Sequence, residues 1–123
     1  MFVVLDTNIL VSALLSPHGK PAQILKLCLN GDYTLCLDER IFLEYENVLA
    51  RPKFHFNPQL VNILLSTIRH TSVFILATPC TIPFTDESDK KFYEVAKTCN
   101  ATLITGNLKH YPEEPFIKSV QDI

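Results

Sequence analysis

The chain begins with Phe2-Val3-Val4-Leu5-Asp6-Thr7-Asn8-Ile9-Leu10, in which an apolar run gives way to three polar residues and then resumes. A short apolar run predicts a buried strand, and open α/β sheets bind their ligands beyond the carboxyl ends of such strands. One polar residue there would serve as a helix N-cap, but capping does not account for three in a row. The stretch therefore predicts a strand over residues 2–5 and a ligand site that begins at Asp6.

The composition is that of a globular protein. With 123 residues, of which 47% are hydrophobic and 20% charged, the chain is expected to form one domain with a substantial core. No segment approaches the ~18 uninterrupted apolar residues of a membrane span. The amino terminus also lacks the basic region and cleavage site of a signal peptide. We therefore expect a cytoplasmic protein without a membrane partner.

The charge balance limits the modes of nucleic-acid binding. A net charge of −2 and a pI near 6.0 exclude the broad basic face of proteins that coat nucleic acid. They do not exclude an enzyme, because bound cations can supply positive charge where phosphates are met.

The four cysteines occur one at a time, without a Cys-x-x-Cys pair or a histidine at ligand spacing. They are Cys28, Cys36, Cys80 and Cys99. This arrangement favours reduced, buried side chains over disulfides or a zinc site.

Strand patterns and helix patterns alternate along the chain. After the first strand, helices are predicted over about 8–15, 21–30, 38–51 and 57–70, and a further helix, capped by Asp86 or Ser88, reaches about Cys99. Strands are predicted over 33–37, 72–76, 102–105 and 116–117. Pro21 and Pro58 mark first helical turns, and residues 77–85 form a loop. The alternation predicts a mostly parallel sheet with helices on both faces.

Acidic residues are expected to converge at one edge of this sheet. Asp6 ends the first strand, Glu44 lies early in the helix after the second, and Asp86 and Asp89 open the helix before the fourth. Right-handed crossovers bring strand ends and the starts of following helices to the same edge. The result is a predicted carboxylate cluster.

Such a cluster needs either shared protons or a cation, because like charges at close range repel. Oxygen ligands without His or Cys suit Mg²⁺ or Mn²⁺, and Mg²⁺ commonly bridges to substrate phosphates. A divalent cation activates water and stabilises a leaving oxygen. The predicted chemistry is therefore phosphodiester hydrolysis.

Each acid also has a purely structural interpretation. Glu44 lies beside Glu39 and Glu46, and acids on helices are usually solvated. Carboxylates at a helix start, such as Asp86 and Asp89, are favoured by the helix dipole whatever else they do.

The end of the fourth strand carries Thr105-Gly106-Asn107. Its glycine would let the backbone approach a ligand, and its neighbours can hydrogen-bond phosphate or water, although a plain turn fits equally well. His110 and Lys109 are candidate phosphate contacts or exposed loop residues. The pair Lys90-Lys91 could likewise help to hold an RNA backbone or lie on the surface.

Taken together, these motifs resemble the PIN-domain family of small metal-dependent ribonucleases over essentially the whole chain. The first motif contains Asp6 with Thr7 and Asn8, and Glu44 resembles the second acidic position of the branch formed by toxins of toxin–antitoxin pairs. The segment 86–92 is similar to the third motif, and Thr105-Gly106-Asn107 to the fourth.

The resemblance implies a three-layer α/β/α sandwich with a five-stranded sheet, usually in a homodimer. It makes Asp6, Glu44 and Asp89 the catalytic residues and ligands of Mg²⁺ or Mn²⁺. Supporting roles fall to Thr7, Asn8, Asp86, Thr105 and Asn107. The implied partners are an RNA substrate and, for toxin members, a cognate antitoxin.

Two alternatives remain open. Many PIN nucleases carry Asp where this chain has Asn107, so a catalytically inactive module that binds RNA or a protein partner is one alternative. The other is a phosphatase of the haloacid dehalogenase type, which needs a second Asp two residues after the first, where this chain has Asn8.

Overall fold

The structure, a computed structural model, describes residues 1–123 and contains a five-stranded parallel sheet. The strands are β1 (Phe2–Leu5), β2 (Thr34–Leu37), β3 (Val73–Phe74), β4 (Thr102–Ile104) and β5 (Ile117–Lys118). The α-helices are α1 (Thr7–Leu15), α2 (Lys20–Leu29), α3 (Glu39–Leu49), α4 (Pro58–Thr71) and α5 (Lys90–Cys99). The predicted α/β fold class is confirmed.

The strand order β3-β2-β1-β4-β5 places β1 in the centre of the sheet. The chain moves outward from β1 to β3 and then returns to the other side of β1 to form β4. The order therefore reverses between β1 and β4, and ligands of doubly wound sheets bind outside the carboxyl ends of strands at such a point. Asp6 follows β1 there and Thr105 follows β4.

The central strands are buried on both faces, as expected for a parallel sheet. Val3, Val4 and Leu5 of β1 and Leu103 of β4 are fully inaccessible. Helix α5 packs against β1, β2 and β4, so it lies over the centre of the sheet. None of the helices combines the length and apolarity that crossing a bilayer requires.

Two predicted elements differ from the structure. The third strand is shorter than the predicted 72–76, because β3 is an edge strand with one neighbour and Leu76 is 95% exposed. The segment Glu87–Asp89 is a 3₁₀ turn rather than the start of α5, and Asp86 caps it by accepting a hydrogen bond from Ser88 N.

The cysteines are all unbridged, as predicted. Their predicted burial is only partly correct: Cys28 and Cys36 are buried, whereas Cys80 and Cys99 are partly exposed.

Candidate active site

Asp6 occupies the centre of the candidate site, directly after β1. Its backbone N donates to Ile104 O of β4 at 3.0 Å, and its side chain is buried. Its Oδ2 atom accepts hydrogen bonds from Thr105 Oγ1 and from Tyr111 OH, both at 2.8 Å. Both donors use the same oxygen, so Oδ1 of Asp6 keeps its acceptor capacity for a ligand.

Tyr111 is a site residue that the sequence interpretation missed. The 3₁₀ turn Leu108–His110 follows the Thr105-Gly106-Asn107 motif and brings Tyr111 back to Asp6. Burial, together with the nearby Asp6 carboxylate, raises the pKa of Tyr111 well above its ordinary value. The phenol therefore remains a hydrogen-bond donor. The only available signal was the position of a tyrosine shortly after the fourth motif.

Glu44 of α3 is linked to both neighbouring helices. Its Oε2 accepts a hydrogen bond from the hydroxyl of Thr7, the residue next to Asp6. Its Oε1 lies 2.7 Å from the ammonium of Lys91 in α5, which also donates to Ser88 O. The sequence interpretation assigned Lys91 to the RNA backbone or the surface, whereas its observed partner is an acid of the candidate site.

Asp89 lies at the start of α5, with its side chain 15% exposed. Burial raises the pKa of this carboxyl, and the negative charges of Asp6 and Asp86 raise it further, while His110 opposes the shift. His110 Nδ1 lies 3.2 Å from Asp89 Oδ2. The negative charge of Asp6 therefore reaches Asp89, and His110, one of the two predicted phosphate contacts, lies beside Asp89.

The loop after β4 is hydrogen-bonded to the start of α1. Asn8 Oδ1 accepts a hydrogen bond from Gly106 N at 3.1 Å, and a Cβ on Gly106 would lie only 3.3 Å from that oxygen. Asn107 N donates to Thr105 Oγ1 at 3.0 Å. The glycine thus permits the close approach, and the buried Thr105 hydroxyl connects Asn107 to Asp6.

The remaining predicted residues lie at the periphery. Asp86 is exposed and accepts hydrogen bonds from Ser88 N and Ser88 Oγ, which lower the pKa of its carboxyl. Its contacts are those of a cap, although its charge reaches Asp89. Lys109 is exposed on the turn beside His110, and Lys90 pairs with Glu87.

The atoms available to bind a metal are of the kind that a hard divalent cation prefers. They are carboxylate oxygens of Asp6, Glu44 and Asp89 and the amide oxygen of Asn107, with no thiol among them. No three acidic, histidine or cysteine side chains are arranged closely enough to enclose a metal ion. Both oxygens of Glu44 have partners within the protein, Oε1 in Lys91 and Oε2 in Thr7.

Comparison with known proteins identifies the family. A family model described as PIN domain matches residues 2–109. The uncharacterized protein MJ1680 of Methanocaldococcus jannaschii is 32% identical over 108 residues, which cover 85% of this chain and 70% of the relative. No solved structure matches the chain. With the sheet order and the residues assembled around Asp6, these matches show that the chain belongs to the PIN-domain family, whose members are in general nucleases.

Proposed function

We propose that this protein is a divalent-metal-dependent endoribonuclease that hydrolyses RNA phosphodiester bonds. The observation that carries the proposal is the convergence of acids at the carboxyl ends of β1 and β4. Thr7 links Glu44 to the residue next to Asp6, and Asp89 responds to the charge of Asp6. Carboxylates at one edge of the sheet favour binding of a cation, although no three of them approach closely enough to enclose one in this structure.

Asp6, Glu44 and Asp89 would hold Mg²⁺ or Mn²⁺, with Asn107 as a neutral oxygen ligand nearby. When bound, such an ion supplies positive charge for the phosphate and the developing oxyanion. The contacts of Thr105 and Tyr111 with Asp6 Oδ2 fix the orientation of that carboxylate. Thr7 does the same for Glu44, and the Asn8–Gly106 hydrogen bond holds the two loops together.

The residues around the carboxylates are suited to an RNA substrate. His110 and Lys109 lie on the exposed turn beside Asp89 and are proposed as phosphate contacts. Both side chains reach solvent, as a contact with a large substrate requires.

The resemblance to the family also supports a proposal about the biological role of the protein and its oligomeric state. We propose that the enzyme acts in the cytoplasm as the toxin of a toxin–antitoxin pair, in homodimeric form. Co-expression of the neighbouring gene followed by copurification tests for an antitoxin. Light scattering on the eluted protein tests for a homodimer.

A catalytically inactive module that binds RNA or a protein is the second candidate. Two observations favour it: Asn107 brings no charge to the site, and the Lys91 ammonium already compensates Glu44. The two candidates make different predictions for metal-dependent cleavage.

The deciding experiment incubates the purified protein with single-stranded and structured RNAs in Mn²⁺, in Mg²⁺ or in chelator. The variant Asp6→Asn removes the central carboxylate, and Asp32→Asn is the matched control because Asp32 is exposed in the turn before β2. The nuclease proposal expects metal-dependent cleavage by the native protein and the control, and none by Asp6→Asn. RNA binding without cleavage under every condition would support the inactive module instead.

A further inference from the structure

Two consecutive residues of α3 are hydrogen-bonded to the chain on either side of Asp6. Tyr45 OH donates to Leu5 O, in the residue before Asp6, at 2.5 Å. Glu44 Oε2 accepts a hydrogen bond from the hydroxyl of Thr7, the residue after Asp6. The helical turn that carries Glu44 is therefore linked directly to the segment that carries Asp6.

The hydrogen bond from Tyr45 holds one end of the peptide unit between Leu5 and Asp6. Every peptide bond of the chain is trans, so the N–H and the C=O of this unit point in opposite directions. Asp6 N donates to Ile104 O of β4 at 3.0 Å, so the Leu5 carbonyl points away from β4. On that side β1 pairs with β2 only through its first two residues, and strand pairing does not extend to Leu5. Tyr45 supplies the donor there, and the peptide unit is held at both ends.

The hydroxyl of Tyr45 contributes this link rather than core packing. Tyr45 is completely buried on the inner face of α3, with Ile41 and Leu49 one turn away on either side. Burying a hydroxyl costs free energy unless it is hydrogen-bonded, and a phenylalanine ring would fill the same space without that cost. The hydroxyl is explained by its bond to the Leu5 carbonyl, which joins residues 40 positions apart.

We propose that Tyr45 is a positioning residue of the candidate active site. It holds the peptide unit between Leu5 and Asp6, and thereby keeps the Asp6 carboxylate oriented to share a divalent cation with Glu44. The inference rests on the proposed function, because it concerns the ligands of the same site.

Tyr45 acts on Asp6 through the backbone, whereas the other contacts of Asp6 act on its side chain. Turning a peptide unit changes the direction of the Cα–Cβ bond in the residue that follows, so this unit sets the direction in which the Asp6 side chain leaves the backbone. Thr105 and Tyr111 hold only Oδ2 of the carboxylate. Removing a group that supports a metal ligand typically lowers the metal affinity about 10- to 100-fold. The loss of the Tyr45 hydroxyl should therefore be measurable in the affinity for the cation.

The test applies two measurements to the complete protein: calorimetric titration with Mn²⁺, and hydrogen exchange of the Asp6 amide in chelator. Exchange is expressed relative to the amide of Leu103, which also bonds across the sheet, so that a general loss of stability cancels. Tyr45→Phe removes one oxygen atom and keeps the ring in the core. Tyr93→Phe is the matched control, because Tyr93 is also completely buried and its hydroxyl donates to Glu114, which is not an acid of the candidate site. Urea unfolding gives the stability of both variants, and the titrations are made where both are folded.

We expect Tyr45→Phe to bind Mn²⁺ about tenfold more weakly than the native protein. We also expect its Asp6 amide to exchange several-fold faster relative to Leu103, because the peptide unit is no longer held on its carbonyl side. Tyr93→Phe should lose stability but keep the native values of both quantities.

The inference is overturned if Tyr45→Phe is only less stable and matches the native protein in Mn²⁺ affinity and relative exchange, since the hydroxyl would then have a purely structural role. Equal weakening of Mn²⁺ binding in Tyr45→Phe and Tyr93→Phe would also overturn it, because the effect would follow stability rather than Asp6. Faster relative exchange of Asp6 in a protein that never binds Mn²⁺ supports the hold of Tyr45 on Asp6 and contradicts only the proposed metal-dependent function.

Discussion

The ammonium of Lys91 lies 2.7 Å from Oε1 of Glu44, so a lysine of α5 neutralises an acid of α3 within the candidate active site. The two side chains are only 13% and 27% exposed, so solvent screens this pair less than a surface ion pair. Lys91 therefore supplies the positive charge that the carboxylate cluster requires in the metal-free protein. A divalent cation would have to share Glu44 with it.

Replacing Lys91 by Gln should destabilise the metal-free protein by about 1 kcal/mol and increase its stabilisation by Mn²⁺, because the acids lose their internal counter-charge. Thermal unfolding with and without Mn²⁺ measures both effects. Lys90→Gln is the control, since Lys90 pairs with the exposed Glu87. An equal response of the two variants to Mn²⁺ would contradict the role given to Lys91.

The position of Asp6 and Thr105 could be predicted from the sequence, because Asp6 directly follows the apolar run 2–5 and Thr105 ends the strand predicted over 102–105. Parallel strands carry such residues to one edge whatever the details of the loops. The 2.8 Å hydrogen bond between residues 99 positions apart is a consequence of that register. Glu44 could be expected at the same edge because it lies early in the helix after the second strand, and its surroundings also resemble the family's second motif.

The contacts of Lys91 and Tyr111 could not be predicted. Lys91 reaches Glu44 because residues 87–89 form a 3₁₀ turn, which sets where α5 begins. The periodicity of the sequence does not distinguish a 3₁₀ turn from a turn of α-helix. Tyr111 reaches Asp6 across 105 positions through an irregular loop. The length of β3 could not be predicted for another reason. Ile75 and Leu76 are apolar like strand residues, but the last backbone hydrogen bond to β2 is from Ile75 N to Leu37 O, and Leu76 is exposed at the edge of the sheet.

Changing Tyr111 to Phe should lower the free energy of unfolding by about 1.5–3 kcal/mol, the range for a hydrogen bond to a charged group. The ring keeps its edge-on contact with Phe84, whose centroid lies 6.0 Å away, so the change isolates the hydroxyl. Urea unfolding measures the loss. Tyr33→Phe removes a hydroxyl that makes no hydrogen bond within the protein and should change little; equal losses would show that the bond to Asp6 contributes nothing specific.

The ion pair of Glu94 should make stability depend on pH. Burial alone would raise the pKa of this carboxyl, but the Cys80 N–H and the Arg40 guanidinium outweigh it and hold the pKa below its ordinary value of 4.5. A lowered pKa means that the ionised form stabilises the fold above the unfolded-state pKa. This stabilisation is lost as the pH falls through the lowered value.

We therefore expect Glu94→Gln to be less stable than the native protein at neutral pH, and the difference to shrink below about pH 4.5. Denaturant unfolding across this range measures it. Glu113→Gln, at an exposed position without an ion pair, should follow the native curve. A difference for Glu94→Gln that does not vary with pH would show that lost packing, rather than lost charge, is responsible.

Changing Asn107 to Asp should strengthen the binding of Mn²⁺ several-fold, because a charged oxygen ligand replaces a neutral one beside Asp6. The backbone contact of residue 107 with Thr105 Oγ1 does not involve its side chain, so the turn should persist. In chelator the added charge should instead destabilise the protein, because it joins a group of carboxylates in which Lys91 pairs with Glu44 alone. Calorimetric titration with Mn²⁺ and thermal unfolding in chelator measure the two effects.

Asn47→Asp adds the same charge at an exposed position of α3 and controls for net charge. If both variants bind Mn²⁺ equally well, the side chain at position 107 does not face the metal, and the fourth motif contributes to the site only through Thr105 and Gly106.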